Sequence, residues 1–239
     1  PVANVNFHAD PLRAIRAARF AACWPDFGVH PDLLVAMRSL GPQQLAPLAG
    51  ERVGQEVMKA LAGTSPGTFL RLLAQGHCLQ PWFDVVAAFA PSVLEDATQG
   101  MDRCAGDALA AWMLIGHYVA TQGESARPGM TELAEAVRLP NTWRRAGDCA
   151  QKWLPRALGY PDLMRQDKVR LLRSVDKAGL SVSFWRTAAV LGSDHGPRAA
   201  RDLERIAAVR LPDELCNLGP RSGELLRELQ ITALEDADV

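Results

Sequence analysis

The sequence predicts an all-α fold, a multi-helix array with no significant sheet, and three observations predict it. Apolar residues recur at three- and four-residue spacing in segment after segment. Val, Ile, Thr and Tyr nowhere cluster in alternating runs, so no strand pattern emerges. With 48% hydrophobic residues in 239, the chain can bury a real core and is not disordered.

Leu12 to Ala22 reads as the first helix, and Trp24-Pro25-Asp26-Phe27-Gly28 breaks it. His30-Pro31-Asp32 starts a second, carrying Leu33, Leu34 and Met37, which Gly41-Pro42 ends. Gly50 to Leu61 is a third, with Val53, Val57, Met58 and Leu61 as its stripe. The turn Gly63-Thr64-Ser65-Pro66-Gly67 leads into a helix over Thr68 to Ala74, and Trp82 to Phe89 is a short apolar run. Asp107 to Ala120 is the most hydrophobic helix, Gln122 to Gly129 a loop, and Thr131 an N-cap-like start for a helix to Val137. Arg138-Leu139-Pro140 ends that one; helices follow at about 141–154, 162–175, 181–191, 197–209 and 221–229. There is no fixed internal period.

Charge is nearly balanced, 26 basic residues against 27 acidic, so the total announces no nucleic-acid partner. Its distribution says more. From Arg138 to Lys177 there are ten basic residues against four acidic; from Leu211 to the end, two against seven. A locally basic middle allows a polyanion-binding face, and equally a solvated helical surface. Five scattered cysteines, Cys23, Cys78, Cys104, Cys149 and Cys216, form no C-x-x-C pair. They point away from a disulfide framework or a zinc site and toward a cytoplasmic location. No apolar run is long enough to span a bilayer and no signal peptide is visible, so no membrane partner is expected. The first residue is Pro1 rather than Met, which suggests a trimmed chain or a piece of a longer one.

The chemistry concentrates in residues 10–20. Arg13, Arg16 and Arg19 recur every third residue, with Leu12, Ile15, Ala18 and Phe20 between them. Asp10 before Pro11 reads as an N-cap followed by proline at the first helical position. Asp10 and Arg13 then stand one turn apart on one face. Elsewhere there is little to make an enzyme. There is no Gly-rich phosphate loop and no G-x-S-x-G, and the histidines show no ligand spacing. Asp236 and Asp238 form a D-x-D only at the C-terminus, where a solvated tail is expected. No catalytic and no metal-binding residues are assigned.

The run Asp10-Pro11-Leu12-Arg13-Ala14-Ile15-Arg16-Ala17-Ala18-Arg19-Phe20-Ala21-Ala22 resembles the E-D-P-L-R-x-x-R-x-A-R-F-A segment of bacterial tRNA nucleotidyltransferases, the class II CCA-adding enzymes, and their poly(A) polymerase relatives. The likeness continues in order. Pro31 to Met37 is similar to P-E-T-L-x-x-M; Glu51-Arg52-Val53, Glu56 and Lys59-Ala60-Leu61 to E-R-V-x-x-E-x-x-K-A-L; Phe69 to Gly76 to F-x-x-L-x-x-x-G. Beyond residue 80 it is looser but collinear: Leu139-Pro140-Asn141, Leu171-Leu172 with Asp176, and Arg221 to Leu226. The resemblance implies a neck-like region over 1–62 and a helical, tRNA-binding body and tail over 63–239. The family's head, with G-G-x-V-R-D and a metal-binding D-x-D, would lie before Pro1 or on a second chain.

In that family the D-x-x-R acts as a protein template for the incoming nucleotide, which carries over to Asp10 and Arg13. The chemistry suits the role. Cytosine and adenine both show an exocyclic amine beside a bare ring nitrogen; a carboxylate accepts from the first and a guanidinium donates to the second. Uracil and guanine show a carbonyl and an N–H there instead, and mismatch the same pair. Arg16 is the candidate triphosphate contact, whereas Arg19, Glu51 and Arg52 are expected to tie helices together. The implied function is selection of CTP and ATP and holding of tRNA for CCA addition, a transferase role in tRNA processing that this chain does not catalyse alone. Mg²⁺ is expected only with a catalytic head. A poly(A) polymerase segment and a degenerate non-catalytic module that binds RNA or protein are the alternatives. Two positions depart from the family: Ala9 stands where it has Glu, and Tyr118 follows His117 where hydrolase-bearing relatives have His-Asp. A phenol is a poor carboxylate substitute, so no hydrolase is expected.

Overall fold

The computed structural model describes residues 4–122 and 129–234. These residues form fifteen α-helices, two short 3₁₀ turns and no strand, the all-α class the periodicity predicts. The chain divides into two compact units, 1–155 and 156–239.

The first unit holds α1 (Asn4–Ala9), α2 (Leu12–Cys23), α3 (Pro31–Arg38), α4 (Pro42–Leu45), α5 (Gly50–Leu61), α6 (Pro66–Gln75), α7 (Asp84–Ala87), α8 (Pro91–Arg103), α9 (Ala108–Gln122), α10 (Met130–Ala136) and most of α11 (Asn141–Ala157). Helix α2 buries Leu12, Ile15, Ala18 and Ala22, the stripe that 3.6-residue periodicity lays on one face, and packs on α5 and α6. In turn α6 packs on α8, and α8 on α9. Helix α9 is buried nearly all round, including Trp112, Met113, Leu114 and Ile115.

Glycines set the closest approaches. A Cβ on Gly67 would lie 2.0 Å from the Thr98 carbonyl oxygen, and one on Gly54 2.0 Å from that of Val137. Only a residue without a side chain allows α6 to meet α8, and α5 the end of α10, at this distance. The α6–α8 contact is locked by Asp102. Its carboxylate accepts from the Gly67 N–H at 2.7 Å and the Ser65 hydroxyl at 3.0 Å, and pairs with Arg71 at 2.6 Å. A carboxylate from another helix thus satisfies a free N–H in the first turn of α6.

The second unit holds α12 (Arg165–Lys177), α13 (Ser181–Val190), α14 (Gly196–Ala208) and α15 (Pro220–Thr232). Helix α12 packs on the other three, burying Val169, Leu171, Leu172 and Val175. Gln230 of α15 is buried and fully used: its amide donates to the Ile206 carbonyl at 2.9 Å and accepts from Arg173 at 3.0 Å. Tyr160-Pro161-Asp162 forms a 3₁₀ turn, which is why α12 starts at Arg165 and not at 162.

The structure adds α1, α4, α7 and α8 to the helices the periodicity marks. It also moves a cap. Helix α10 begins at Met130; the Glu132 carboxylate accepts from the Gly129 N–H at 2.8 Å, and Thr131 instead donates to Asp148. Residues 123–128 of the expected loop, and Asp236 and Asp238, lie outside the described residues.

Candidate nucleotide-reading edge

Asp10 and Pro11 join α1 to α2. The Arg13 N–H donates to the Asp10 carbonyl at 3.0 Å and Ala14 N–H to that of Pro11 at 3.1 Å, so the turn is closed by backbone alone. Pro11, at φ −61°, already has helical geometry. The N-cap role expected of the Asp10 side chain is therefore corrected. The carboxylate faces cations: Oδ2 lies 3.9 Å from Arg13 Nε and Oδ1 3.9 Å from an Arg52 terminal nitrogen on α5. Both separations exceed a hydrogen bond. The side chains of Asp10, Arg13 and Arg52 are 32%, 47% and 55% exposed. Asp10 is thus oriented by two positive charges and keeps its acceptor positions open. Arg16 is exposed one turn further along α2.

Arg19, two turns along, behaves otherwise. Its Nε lies 2.5 Å from Glu56 Oε2 on α5, with both side chains nearly enclosed, and its guanidinium stacks 3.8 Å from the Phe20 ring centroid. Here the arginine ties α2 to α5, as expected of it. Glu51 reaches Arg138 at 3.9 Å, and so helps join α5 to the segment after α10.

One feature was missed in the sequence. Past Arg16 the exposed face of α2 becomes apolar: Ala17, Phe20, Ala21 and Trp24, with Phe27, Gly28, Val29 and Leu33, line a groove of about 570 Å³. Phe20 and Trp24 stack at 5.1 Å, and Phe27 is 77% exposed. The signal was there in aromatics four residues apart on the helix face opposite the buried stripe.

The basic middle of the chain crosses the boundary between the two units. Its ten cations are divided between the two units. Arg144 pairs with Glu135 at 3.2 Å and Arg170 with Asp167 at 3.5 Å; Lys168 is buried over the Tyr160 ring; Arg173 holds Gln230.

His117 is buried in α9 and its Nδ1 has no hydrogen-bond partner; burial lowers its pKa. Tyr118 beside it is pushed up, first by burial, then by Asp96, with Arg103 opposing. Among the described residues no three His, Cys, Asp or Glu side chains come together as a metal site would require. Burial pushes the Cys78 thiol up to about 11, which leaves it unreactive. No helix among the described residues is long and apolar enough to cross a membrane.

Residues 26–89 match the family model described as "Probable RNA and SrmB- binding site of polymerase A". A multifunctional CCA protein of Azoarcus sp. is 30% identical over 225 residues, 87% of this chain and 50% of its own length. The chain belongs to the tRNA nucleotidyltransferase family. A second family member, the multifunctional CCA protein of Stenotrophomonas maltophilia, is 45% identical over 78 residues, 31% of this chain and 19% of its own length. The chain thus spans half or less of the length of these two tRNA nucleotidyltransferase relatives. A solved CCA-adding enzyme with CTP shares the fold, with TM-score 0.62 and 17% identity, covering 98% of this chain and 58% of that one.

Proposed function

We propose that the chain is the nucleotide-selecting and tRNA-binding part of a CCA-adding system, with Asp10 and Arg13 as the edge that reads the base of CTP or ATP. The observation that carries this reading is the state of the pair. A carboxylate and a guanidinium stand one helical turn apart, exposed and oriented, yet 3.9 Å from each other and not hydrogen-bonded. An incoming amine can take the carboxylate and a bare ring nitrogen the guanidinium without first breaking a strong bond. Arg16, exposed one turn further along α2, is the candidate contact for the triphosphate. The neck-like region over 1–62 presents this edge, and the helices of 63–239 hold the tRNA through its phosphates. Transfer needs two Mg²⁺ held by carboxylates from a catalytic head. The described residues offer no such set, so the 239-residue chain alone is expected to add no nucleotide.

The test is selectivity in the protein completed with a catalytic head, on tRNA lacking CCA. With Arg13→Ala, preference for CTP and ATP over UTP and GTP is expected to fall about 10- to 100-fold, the worth of one charge-assisted hydrogen bond. Unchanged preference would remove the template role. The family-model description favours a second reading, a poly(A) polymerase segment. CTP supplied alone separates the two: CMP incorporation supports the CCA reading, and strict dependence on ATP supports the other.

A further inference from the structure

The second unit encloses a cation without giving it a counter-charge. Among the described residues Lys168, the fourth residue of α12, is the only lysine or arginine that is buried, at 5% exposed. Its ammonium lies 5.4 Å from the centroid of the Tyr160 ring, and no carboxylate or carbonyl among the described residues pairs with it. The ring is fixed in turn: the Tyr160 hydroxyl donates to Asp202 at 2.9 Å, and Trp185 meets it edge-on at 5.5 Å. Taking an ammonium out of water is costly, and the face of one aromatic ring returns only part of that cost.

Lys168 is nevertheless reachable. It lines a cleft of about 520 Å³ at the start of α12, a volume ordinary for a small-molecule site. Gln166 lines the same cleft. The first turn of a helix leaves N–H groups without intrahelical partners, and the helix dipole adds partial positive charge there. The Asp167 and Lys168 N–H groups close back onto the Met164 carbonyl at 2.8 and 3.0 Å, whereas the Gln166 N–H has no partner among the described residues. Leu163, Met164 and Ile231 of α15 give the cleft an apolar wall, and Met164 is 62% exposed. No carboxylate lines it among the described residues. Asp167, in the same turn, faces Arg170 at 3.5 Å.

We infer that this cleft binds a small organic anion, an oxyanion carried on an apolar body. The oxyanion meets the Lys168 ammonium and the free N–H at the start of α12, and the body lies against Leu163, Met164 and Ile231. A bound oxyanion supplies the counter-charge that the fold withholds from Lys168, through a charge-assisted hydrogen bond in a site largely screened from water. The apolar wall is what favours a small organic ligand: a charged, hydrated chain would leave it unused. Phosphate monoester and carboxylate share this chemistry. The site is separate from the nucleotide-reading edge and does not depend on it.

The experiment is a ligand-observed NMR titration of the full 239-residue chain with phenyl phosphate, benzoate, inorganic phosphate and phenol. Phenyl phosphate or benzoate is expected to saturate about tenfold more tightly than inorganic phosphate, which lacks the body, and than phenol, which lacks the charge. The tighter of the two identifies the oxyanion. Lys168→Met keeps the bulk of the stem and removes the ammonium; it is expected to weaken that ligand about tenfold and to leave phenol unchanged. Met164→Glu sets a carboxylate beside the cleft at an exposed position that folding does not depend on, and is expected to weaken the same ligand about threefold. If Lys168→Met does not fold, Met164→Glu decides. Affinity unchanged in the variants overturns the inference, as does inorganic phosphate binding as tightly as both organic anions, or saturation by neither of them. Displacement of the bound probe by tRNA lacking CCA would make the occupant RNA and overturns it equally.

Discussion

Helix α2 carries two acid–arginine pairs that look alike in sequence and differ in kind. Asp10 and Arg13 stand at 3.9 Å, exposed, with Arg52 as a second loose neighbour. Arg19 and Glu56 stand at 2.5 Å, with side chains only 13% and 11% exposed. In water the first pair gains little from attraction and exchanges partners cheaply. The second has lost most of its water and holds its geometry because each charge is enclosed against the other. An edge that must read a base needs the first arrangement; a joint between helices needs the second. Two turns of one helix provide both because its faces differ in burial.

Breaking the buried pair gives the largest effect. Glu56→Ala leaves the Arg19 guanidinium enclosed without its carboxylate, and unfolding stability is expected to fall by about 3 kcal/mol in urea titration. Replacing both members, Arg19→Met with Glu56→Leu, is expected to recover most of that loss, because the desolvated charge goes too. If Glu56→Ala changed stability by less than the exposed variants below, the contrast between the two pairs would collapse.

At the exposed pair the same operation has a small structural effect. Arg13→Ala and Arg52→Ala are each expected to alter stability by no more than about 0.5 kcal/mol, read in the same titration. The consequence of Arg13→Ala belongs in base selectivity instead. A large loss of stability in Arg13→Ala would make Asp10 and Arg13 a structural joint like the other pair.

The sequence shows the exposed pair and hides the buried one for a physical reason. Asp10 and Arg13 are three residues apart, and helical geometry alone places them together. Arg19 and Glu56 are 37 residues apart, and only the packing of α2 on α5 brings them into contact. Helix α8 is hidden differently. Its large apolar residues are only Val93, Leu94 and Met101; the small residues Ala97, Thr98 and Gly100 are buried beside Met101, and Thr98 meets Gly67 of α6. Close backbone approach, permitted by Gly67, replaces the hydrophobic stripe that periodicity detects. The buried bond from the Tyr160 hydroxyl to Asp202 of α14 is hidden too: 42 residues separate the two, and nothing in the sequence says that Asp202 is turned inward. The run from Arg138 to Lys177 is dense in positive charge, yet several of its cations are held in place by partners.

His117 supplies the third case, a buried ionisable group whose Nδ1 has no hydrogen-bond partner, and the smallest effect. Burial lowers its pKa below the ordinary histidine value in the folded chain, while the unfolded chain keeps a value near 6.5. The unfolded state therefore binds more protons between those two values, and stability rises with pH across that window. The contribution is complete above about pH 6.5 and is lost as pH falls through the folded value. His117→Leu removes both the titration and the unpartnered Nδ1 from the middle of α9. Between pH 7.5 and 5.5 the variant's Tm is expected to fall less than that of wild type, by a few degrees at most. Equal slopes would mean that His117 takes up its proton without cost. Solvent would then have to reach a position that the packing of α9 closes, and burial would no longer separate the loose pair of α2 from the tight one.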